Sequence, residues 1–575
     1  MLSKQLGAVP VSALFDALQL PESGITKLTG NFRKVEDLAK GLESGSNDNC
    51  QHQINVLRGL LPELCRWHVS PKKRLPYTEY AREYIYRNAV TLVKQQTLNG
   101  ATPLSQNPNI CLSAVALFAP LAQVYASIAR DLAKPSGMLI PNRRGKLAIC
   151  LQRAIACYGQ LILLNQQCFK APPAQTWLRL NNLIALAYRL KVADWNVPDP
   201  QQVSPGVSPR ESYIRTLLFA GSNPSQMRPE EMRVVYDCTA IWHPMVTLEP
   251  GDSECRLALL VSLEHDGAPL FADRLKYARL EPEAFAPPHG WTVNLEKVQE
   301  LLAELHRGNA RLSRDYPREL TPSLISRVYA AWNPKVHRRD PRRDSRETCE
   351  IVVGLGNCCE YLRHAATENP NWEQFLADLS PEAAVPETQT EEAGGDGNYD
   401  ASTASFIATA PSASVRIRKK VPEVKTLQAE CVDVSDNGVC FQLPAMQAHR
   451  LRNGELVCLR RDHGAWRVCV VRWIRAGEKH HRVGVQCLAD EAIPVSTAIV
   501  LGRNHQSDYL DSLLVLGMGE HDNPPTLLLP VPLFKRGSVV DINWDEQGPR
   551  NYKRLRLLGQ VAESNSIGQF LFEPL

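Results

Sequence analysis

Residues 431–441 run Cys431-Val432-Asp433-Val434-Ser435-Asp436-Asn437-Gly438-Val439-Cys440-Phe441. Apolar and polar positions alternate up to Val434, a Ser-Asp-Asn-Gly corner follows, and alternation resumes at Val439. A period of two is that of a strand, and the corner is that of a tight turn. The stretch therefore predicts a β-hairpin, with Gly438 free to take the positive φ that such corners use. A hairpin alone is only structure. Its context is what carries a functional reading.

Asp433-x-Ser435-x-x-Gly438 fits the D/N-x-S-x-x-G pattern and so resembles the PilZ family, small β-barrels that bind cyclic di-GMP. Gly454-Glu455-Leu456-Val457 resembles the strand this family places after its turn. Val470-Val471-Arg472-Trp473-Ile474 and Arg482-Val483-Gly484-Val485-Gln486-Cys487 resemble its two closing strands. Four segments in the right order are a stronger signal than one short motif, and they cover about residues 425–495.

The family's second motif, R-x-x-x-R, precedes the Asp. The near candidate is Arg416-Ile417-Arg418-Lys419-Lys420, where the second position would be a lysine. Only a guanidinium offers the planar fork that matches phosphate or a guanine edge, so this substitution is not neutral. The far candidate is Arg338-Arg339-Asp340-Pro341-Arg342-Arg343, which holds Arg339-x-x-x-Arg343 intact and Arg338-x-x-x-Arg342 beside it. Cys349-Glu350-Ile351-Val352-Val353-Gly354 follows it as a first barrel strand. The far candidate is preferred, with Arg339 and Arg343 as ligand arginines and Arg338, Arg342, Arg416 and Arg418 as second choices. It implies an insertion of about sixty residues between the first two barrel strands.

That insertion is visible in composition. No Lys or Arg lies between Arg363 and Arg416, and 381–414 is rich in Ala, Thr, Ser, Gly and Glu. Such a segment cannot cover a core and is expected to be disordered. Looping it out is cheap, about 0.6 kcal/mol per doubling of length.

The whole chain has 575 residues and a net charge of +4. That length holds several domains at roughly 150 residues each, and the near-neutral charge argues against a whole-protein nucleic-acid footprint. Sixteen cysteines without a C-x-x-C pair read as reduced, buried thiols of a cytoplasmic protein, not as zinc ligands or a disulfide framework. A Cys349/Cys358/Cys359/His364 metal cluster is the remote alternative. No secretory signal opens the chain, and the uncharged run 110–129, interrupted by Pro120 and Gln123, reads as a buried helix and not as a membrane span.

Helical spacing of apolar residues predicts helices at 83–98, 113–134, 145–169 and 176–190, a loosely TPR-like arrangement without a clear 34-residue period. Beyond a Pro/Gln/Ser-rich linker at 196–208, helices at 213–222, 229–242, 293–307 and 322–332 alternate with a hairpin around His265-Asp266-Gly267. After about residue 495, short strands are expected at 526–529, 539–543, 555–561 and 569–573. The fold class is multidomain α+β: an α-helical domain (1–200), an α+β middle region (201–330), a PilZ-like β-barrel (331–500, disordered at about 365–425) and a β-rich C-terminal unit (501–575).

The chain has no phosphate-cradling G-x-x-x-x-G-K-S/T, no H-E-x-x-H and no G-x-S-x-G, so no catalytic residue, metal or cofactor is assigned and an enzyme is not expected. The resemblance implies a cytoplasmic, bacterial receptor of cyclic di-GMP, set in motility, adhesion or biofilm control. Arg339 and Arg343 would hold phosphate and guanine, Asp433 and Ser435 would meet a base, and Gly438 would shape the turn. Ligand binding would then act on an unidentified protein partner through the helical region. A degenerate barrel in a non-binding adaptor is the alternative. Nucleic-acid binding through 335–346 and 416–420 ranks third, because neither basic run carries aromatics for stacking bases.

Overall fold

The computed structural model describes residues 9–575 apart from 31, 44–49, 99–107, 135–141, 202–205, 252–254, 256, 279, 288, 334–341, 366–424, 449, 503–504, 516–523, 545–551 and 565. The chain divides into two compact units, Met1–Arg339 with Arg475–Gly477, and Asp340–Ile474 with Glu478–Leu575.

The first unit is built on the helix Arg143–Gln167, whose side chains are buried on every side. Helices Phe118–Ala133, Thr176–Arg189 and Pro209–Gly221 pack around it, as expected for a helix that is apolar all round. Two helical stretches, Ile110–Ala133 and Arg143–Gln167, are long and apolar enough to cross a membrane, and both are largely buried inside this unit. Helix starts follow the sequence. Ser208 and Glu211 form a reciprocal capping box with Pro209 in the first turn, which satisfies backbone donors that no helix can satisfy internally.

The middle region shares this core. Strands β1 (Thr247–Pro250), β2 (Ala258–Ser262), β3 (Leu270–Phe271) and β4 (Gly290–Asn294) form an antiparallel sheet ordered β1-β4-β2-β3. Trp291 of β4 is fully buried, edge-on to Tyr188 and Tyr213 with ring centres 5.7 and 6.2 Å away. The turn expected at His265-Asp266-Gly267 serves as a helix cap. The Asp266 carboxylate accepts from the backbone N–H groups of Trp177 (3.0 Å) and Leu178 (3.3 Å) at the start of Thr176–Arg189.

The second unit holds two closed barrels. The first comprises β5 (Arg343–Asp344), β6 (Thr348–Val353), β7 (Leu427–Ser435), β8 (Gly438–Pro444), β9 (Leu456–Arg461), β10 (Arg467–Ala476) and β11 (His480–Ala489). Six strands run β7-β6-β9-β10-β11-β8, β8 pairs back onto β7, and β5 pairs with the end of β7 on the same side as β6. The second comprises β12 (Ala492–Gly502), β13 (His505–Gln506), β14 (Leu510–Val515), β15 (Thr526–Pro530), β16 (Val539–Asn543), β17 (Tyr552–Glu563) and β18 (Ile567–Pro574). It closes in the order β12-β14-β15-β18-β17-β16, with β13 on β12. Closure removes the unpaired edges that would otherwise invite association.

Helix Leu355–Ala365, absent from the sequence reading, packs on β6 and β9 of one barrel and on β12 and β14 of the other. That explains β9, where Leu456, Val457, Cys458 and Leu459 are all buried. Leu456 and Cys458 join the cluster around Cys358, Cys359 and Leu362 of this helix, while the alternate pair faces the other way. The insertion expected at about 365–425 lies almost wholly outside the described residues.

Candidate functional site

The hairpin β7–β8 forms as the alternation predicts, closed by the two residues Asp436 and Asn437 between the paired Ser435 and Gly438. One expectation needs correcting. Gly438 does not take a positive φ, and neither turn residue does. Glycine is favoured there by crowding. A Cβ would lie 3.2 Å from Ser435 Oγ and 3.3 Å from the Val485 carbonyl on β11, so the neighbouring strand passes too close for a side chain to fit easily.

The basic lead-in is brought to this hairpin by β5. Arg343 pairs with Val434 and Asp344 with Asp433. Paired residues share a face and successive residues alternate. Arg342 therefore lies on the Asp433 face and Arg343 on the Val434 face. The side chains agree: Arg342 Nη1 donates to Asp433 Oδ1 at 2.6 Å, with both groups half-buried. Ser435 Oγ donates to the Gly438 carbonyl at 3.4 Å.

The outer face around Asp433 continues across β8 and β11. Asp433 pairs with Cys440, and Cys440 with Gly484. The Trp473 indole covers Gly484, leaving no room for a Cβ, which would come within 2.2 Å of the ring. Burial, reinforced by the Asp433 carboxylate, pushes the Cys440 thiol up to about 12 against the opposing pull of Arg342 and Arg482. Cys440 is thus a neutral thiol in the floor of this face, with Arg482 close enough to act on it.

Beside β5, a cavity of about 860 Å³ is bordered by Arg343, Arg346, Arg461 and Arg467 and by the carboxylates of Asp344, Glu347, Asp436 and Asp462, with Ser435 among the rest. Arg461 is held by Glu347 (3.0 Å) and Arg467 by Asp490 (2.6 Å).

Of the residues expected from sequence, the structure brings together Arg342 with Asp433, and Arg343 with Ser435 at the cavity. Arg338, Arg339, Arg416 and Arg418 lie outside the described residues. Sequence reading missed Arg346, Arg461 and Arg467 at the cavity, and Arg482 and Trp473 on the outer face. Trp473 and Gly484 were quoted as strand residues, but nothing in their spacing announced that one covers the other. Among the described residues, no three His, Cys, Asp or Glu side chains converge as a metal site.

Three family models match successive parts of the chain: "Cyclic-di-GMP receptor FimW, N-terminal domain" over 36–253, "Cyclic-di-GMP receptor FimW, middle PilZ domain" over 258–494, and "FimW C-terminal beta-barrel domain" over 496–575. A curated relative described as Cyclic-di-GMP receptor FimW, from Pseudomonas aeruginosa strain PAO1, is 24% identical over 459 residues, covering 75% of this chain and 72% of the relative. No solved structure matches. The PilZ resemblance holds, but the family likeness is not confined to the C-terminal part. The helical region matches that receptor's own N-terminal domain, and the PilZ match begins at residue 258, in the first compact unit. The relative is described as a receptor. With its helical region, PilZ barrel and terminal barrel matched in the same order, the chain belongs to the FimW family.

Proposed function

We propose that this protein is a cytoplasmic receptor of cyclic di-GMP that binds the nucleotide on the outer face of its first barrel and signals through its helical region to a protein partner. The observation that carries the reading is the ion pair between Arg342 and Asp433, which joins the basic lead-in to the acidic-hydroxyl hairpin. The curated relative, described as a cyclic di-GMP receptor, supports the choice of ligand.

A cyclic dinucleotide presents two phosphates and two guanines. Arg342 donates through Nη1 to Asp433, and its remaining N–H groups suit a phosphate or the O6/N7 edge of guanine. Asp433 accepts from the donors on guanine's Watson–Crick edge, and Ser435 adds a hydroxyl. A half-exposed ion pair is worth about 0–1 kcal/mol, so ligand can rearrange it at little cost while the pair keeps both side chains in place beforehand. The register puts Arg342 rather than Arg343 on the Asp433 face, which favours the second-choice spacing Arg338-x-x-x-Arg342 over Arg339-x-x-x-Arg343.

The test is calorimetric titration of the full chain with cyclic di-GMP. Saturable binding by the wild type, weakened about tenfold or more by Asp433→Ala, is expected. No binding by folded wild-type protein would leave an adaptor with an idle barrel.

A further inference from the structure

We propose that Cys469 and Cys487 are a site of oxidative modification, where peroxide converts the two thiols to a reversible disulfide that ties β10 to β11 beside the corner of the β7–β8 hairpin. The Cys469 thiol donates to Cys487 Sγ at 3.2 Å, and both side chains are buried.

The backbone suits such a bond. β10 and β11 are hydrogen-bonded neighbours, and β8 lies on the far side of β11. Cys487 turns its N–H to that far side, donating to the Asn437 carbonyl at 3.0 Å. In an antiparallel strand the N–H and C=O of one residue point the same way, so Cys487 makes no ladder bond to β10. Residues that face each other across such a position have Cα atoms about 4.5 Å apart and side chains at their closest. A disulfide spans about 4.4–6.8 Å between Cα atoms, so this one closes without unpairing the strands.

The two sulfurs are prepared for different roles. The hydrogen bond from Cys469 holds the Cys487 thiol below its ordinary value against the effect of burial, and Arg467 adds to the lowering. The same bond, with burial, pushes the Cys469 thiol up. Cys487 is therefore the nucleophile and Cys469 the thiol that resolves the product. The Cys487 thiolate attacks one oxygen of hydrogen peroxide. An S–O bond forms, the O–O bond breaks, and the departing hydroxide takes up the proton Cys487 gave up and leaves as water. The Cys469 sulfur then attacks the Cys487 sulfenic acid. An S–S bond forms, the S–O bond breaks, and the hydroxide leaves with the Cys469 proton as a second water. The sulfurs supply both electrons that reduce the peroxide, and a dithiol reductant restores them by exchange.

Burial slows this reaction without forbidding it. Cys469 and Cys487 lie close to the end of the hairpin where β10 starts at Arg467 and β11 stops at Ala489. That end is closed by the Arg467–Asp490 ion pair, whose side chains are 19% and 45% exposed. Local opening is easiest at the ends of elements, and a small neutral peroxide needs no more. The same end holds the hairpin corner. Arg467 Nη2 donates to the Asp436 carbonyl at 3.3 Å, and the Cys487 N–H to that of Asn437. Tying β10 to β11 therefore stiffens the turn from both of its supports.

The experiment treats the reduced full chain with hydrogen peroxide and maps its peptides without reductant. Expected is a Cys469–Cys487 link that dithiothreitol removes. Amide exchange at 435–438 should be about tenfold or more slower in the linked form. In Cys469→Ala, peroxide should leave a sulfenic acid on Cys487 that dimedone captures, whereas Cys487→Ala should leave none on Cys469. Folded protein that keeps both thiols free under peroxide overturns the proposal. So does a link formed elsewhere in its stead, such as Cys111 to Cys168, whose sulfurs are 4.0 Å apart. A link with unchanged exchange at 435–438 overturns its coupling to the hairpin. The map and the exchange use wild-type protein, so they decide the matter even if an alanine variant fails to fold.

Discussion

Replacing Asp199 by asparagine is expected to cost the helical unit about 3–5 kcal/mol, the range for removing one partner of a buried ion pair. The Asp199 side chain is fully buried and takes Arg82 Nη2 on both oxygens, at 2.7 and 3.0 Å. It also meets Arg153 Nη1 at 3.1 Å, Gln152 Nε2 at 3.1 Å and the Gln201 N–H at 3.0 Å. Arg82 and Arg153 are themselves almost wholly buried. A neutral amide leaves these two guanidinium groups with Glu79 as the remaining carboxylate partner among the described residues. The same site fixes a pH dependence. Burial pushes the Asp199 carboxyl up, but Arg82 and Arg153 outweigh it, and the net value lies below the ordinary one. A carboxylate depressed on folding contributes its full stability above the unfolded value, about 3.9, and loses it as pH falls below that through the folded value. Urea unfolding followed by far-ultraviolet circular dichroism should show a helical transition that weakens below about pH 4. That acid limb should flatten in Asp199→Asn. An unchanged midpoint in the variant would show that the cluster is not holding the helices together.

Arg342→Ala should weaken cyclic di-GMP binding by about tenfold to over a hundredfold, because a hydrogen bond to a charged partner is worth roughly 1.5–3 kcal/mol. Arg343→Ala should leave the outer-face event within about a factor of two or three, since surface changes away from a site fall within about ±0.5 kcal/mol. Parallel titrations read the difference directly. If the two affinities respond in the reverse order, the face assignment drawn from the Asp344–Asp433 register is wrong.

That register marks the limit of what sequence could decide. Spacing alone allowed two R-x-x-x-R solutions offset by one residue, and a one-residue offset in a strand exchanges its faces. The choice between Arg342 and Arg343 needed the partner strand. Gly438 illustrates the same gap. Its pattern read as a turn glycine, yet what crowds a side chain there is Ser435 Oγ together with the Val485 carbonyl of a strand distant in sequence. Periodicity worked where burial imposes it on one element. The helices Arg143–Gln167 and Thr176–Arg189 and the hairpin strands β7 and β8 lie close to where the apolar spacing put them, and β9 to β11 close to where the family resemblance put them. It failed for β5, only two residues long, and for helix Leu355–Ala365, whose apolar side is set by two barrels at once. The cavity arginines at 461 and 467 sit on separate strands, and no linear motif could join them.

Amide hydrogen exchange of the full chain with and without saturating cyclic di-GMP locates the ligand most directly. Slowed exchange is expected around Arg342–Ser345 and across Leu427–Ser435, Gly438–Pro444 and His480–Ala489, the strands that carry Asp433, Cys440 and Gly484. Saturable binding whose protection falls only on the second barrel, with those strands unchanged, would contradict the account.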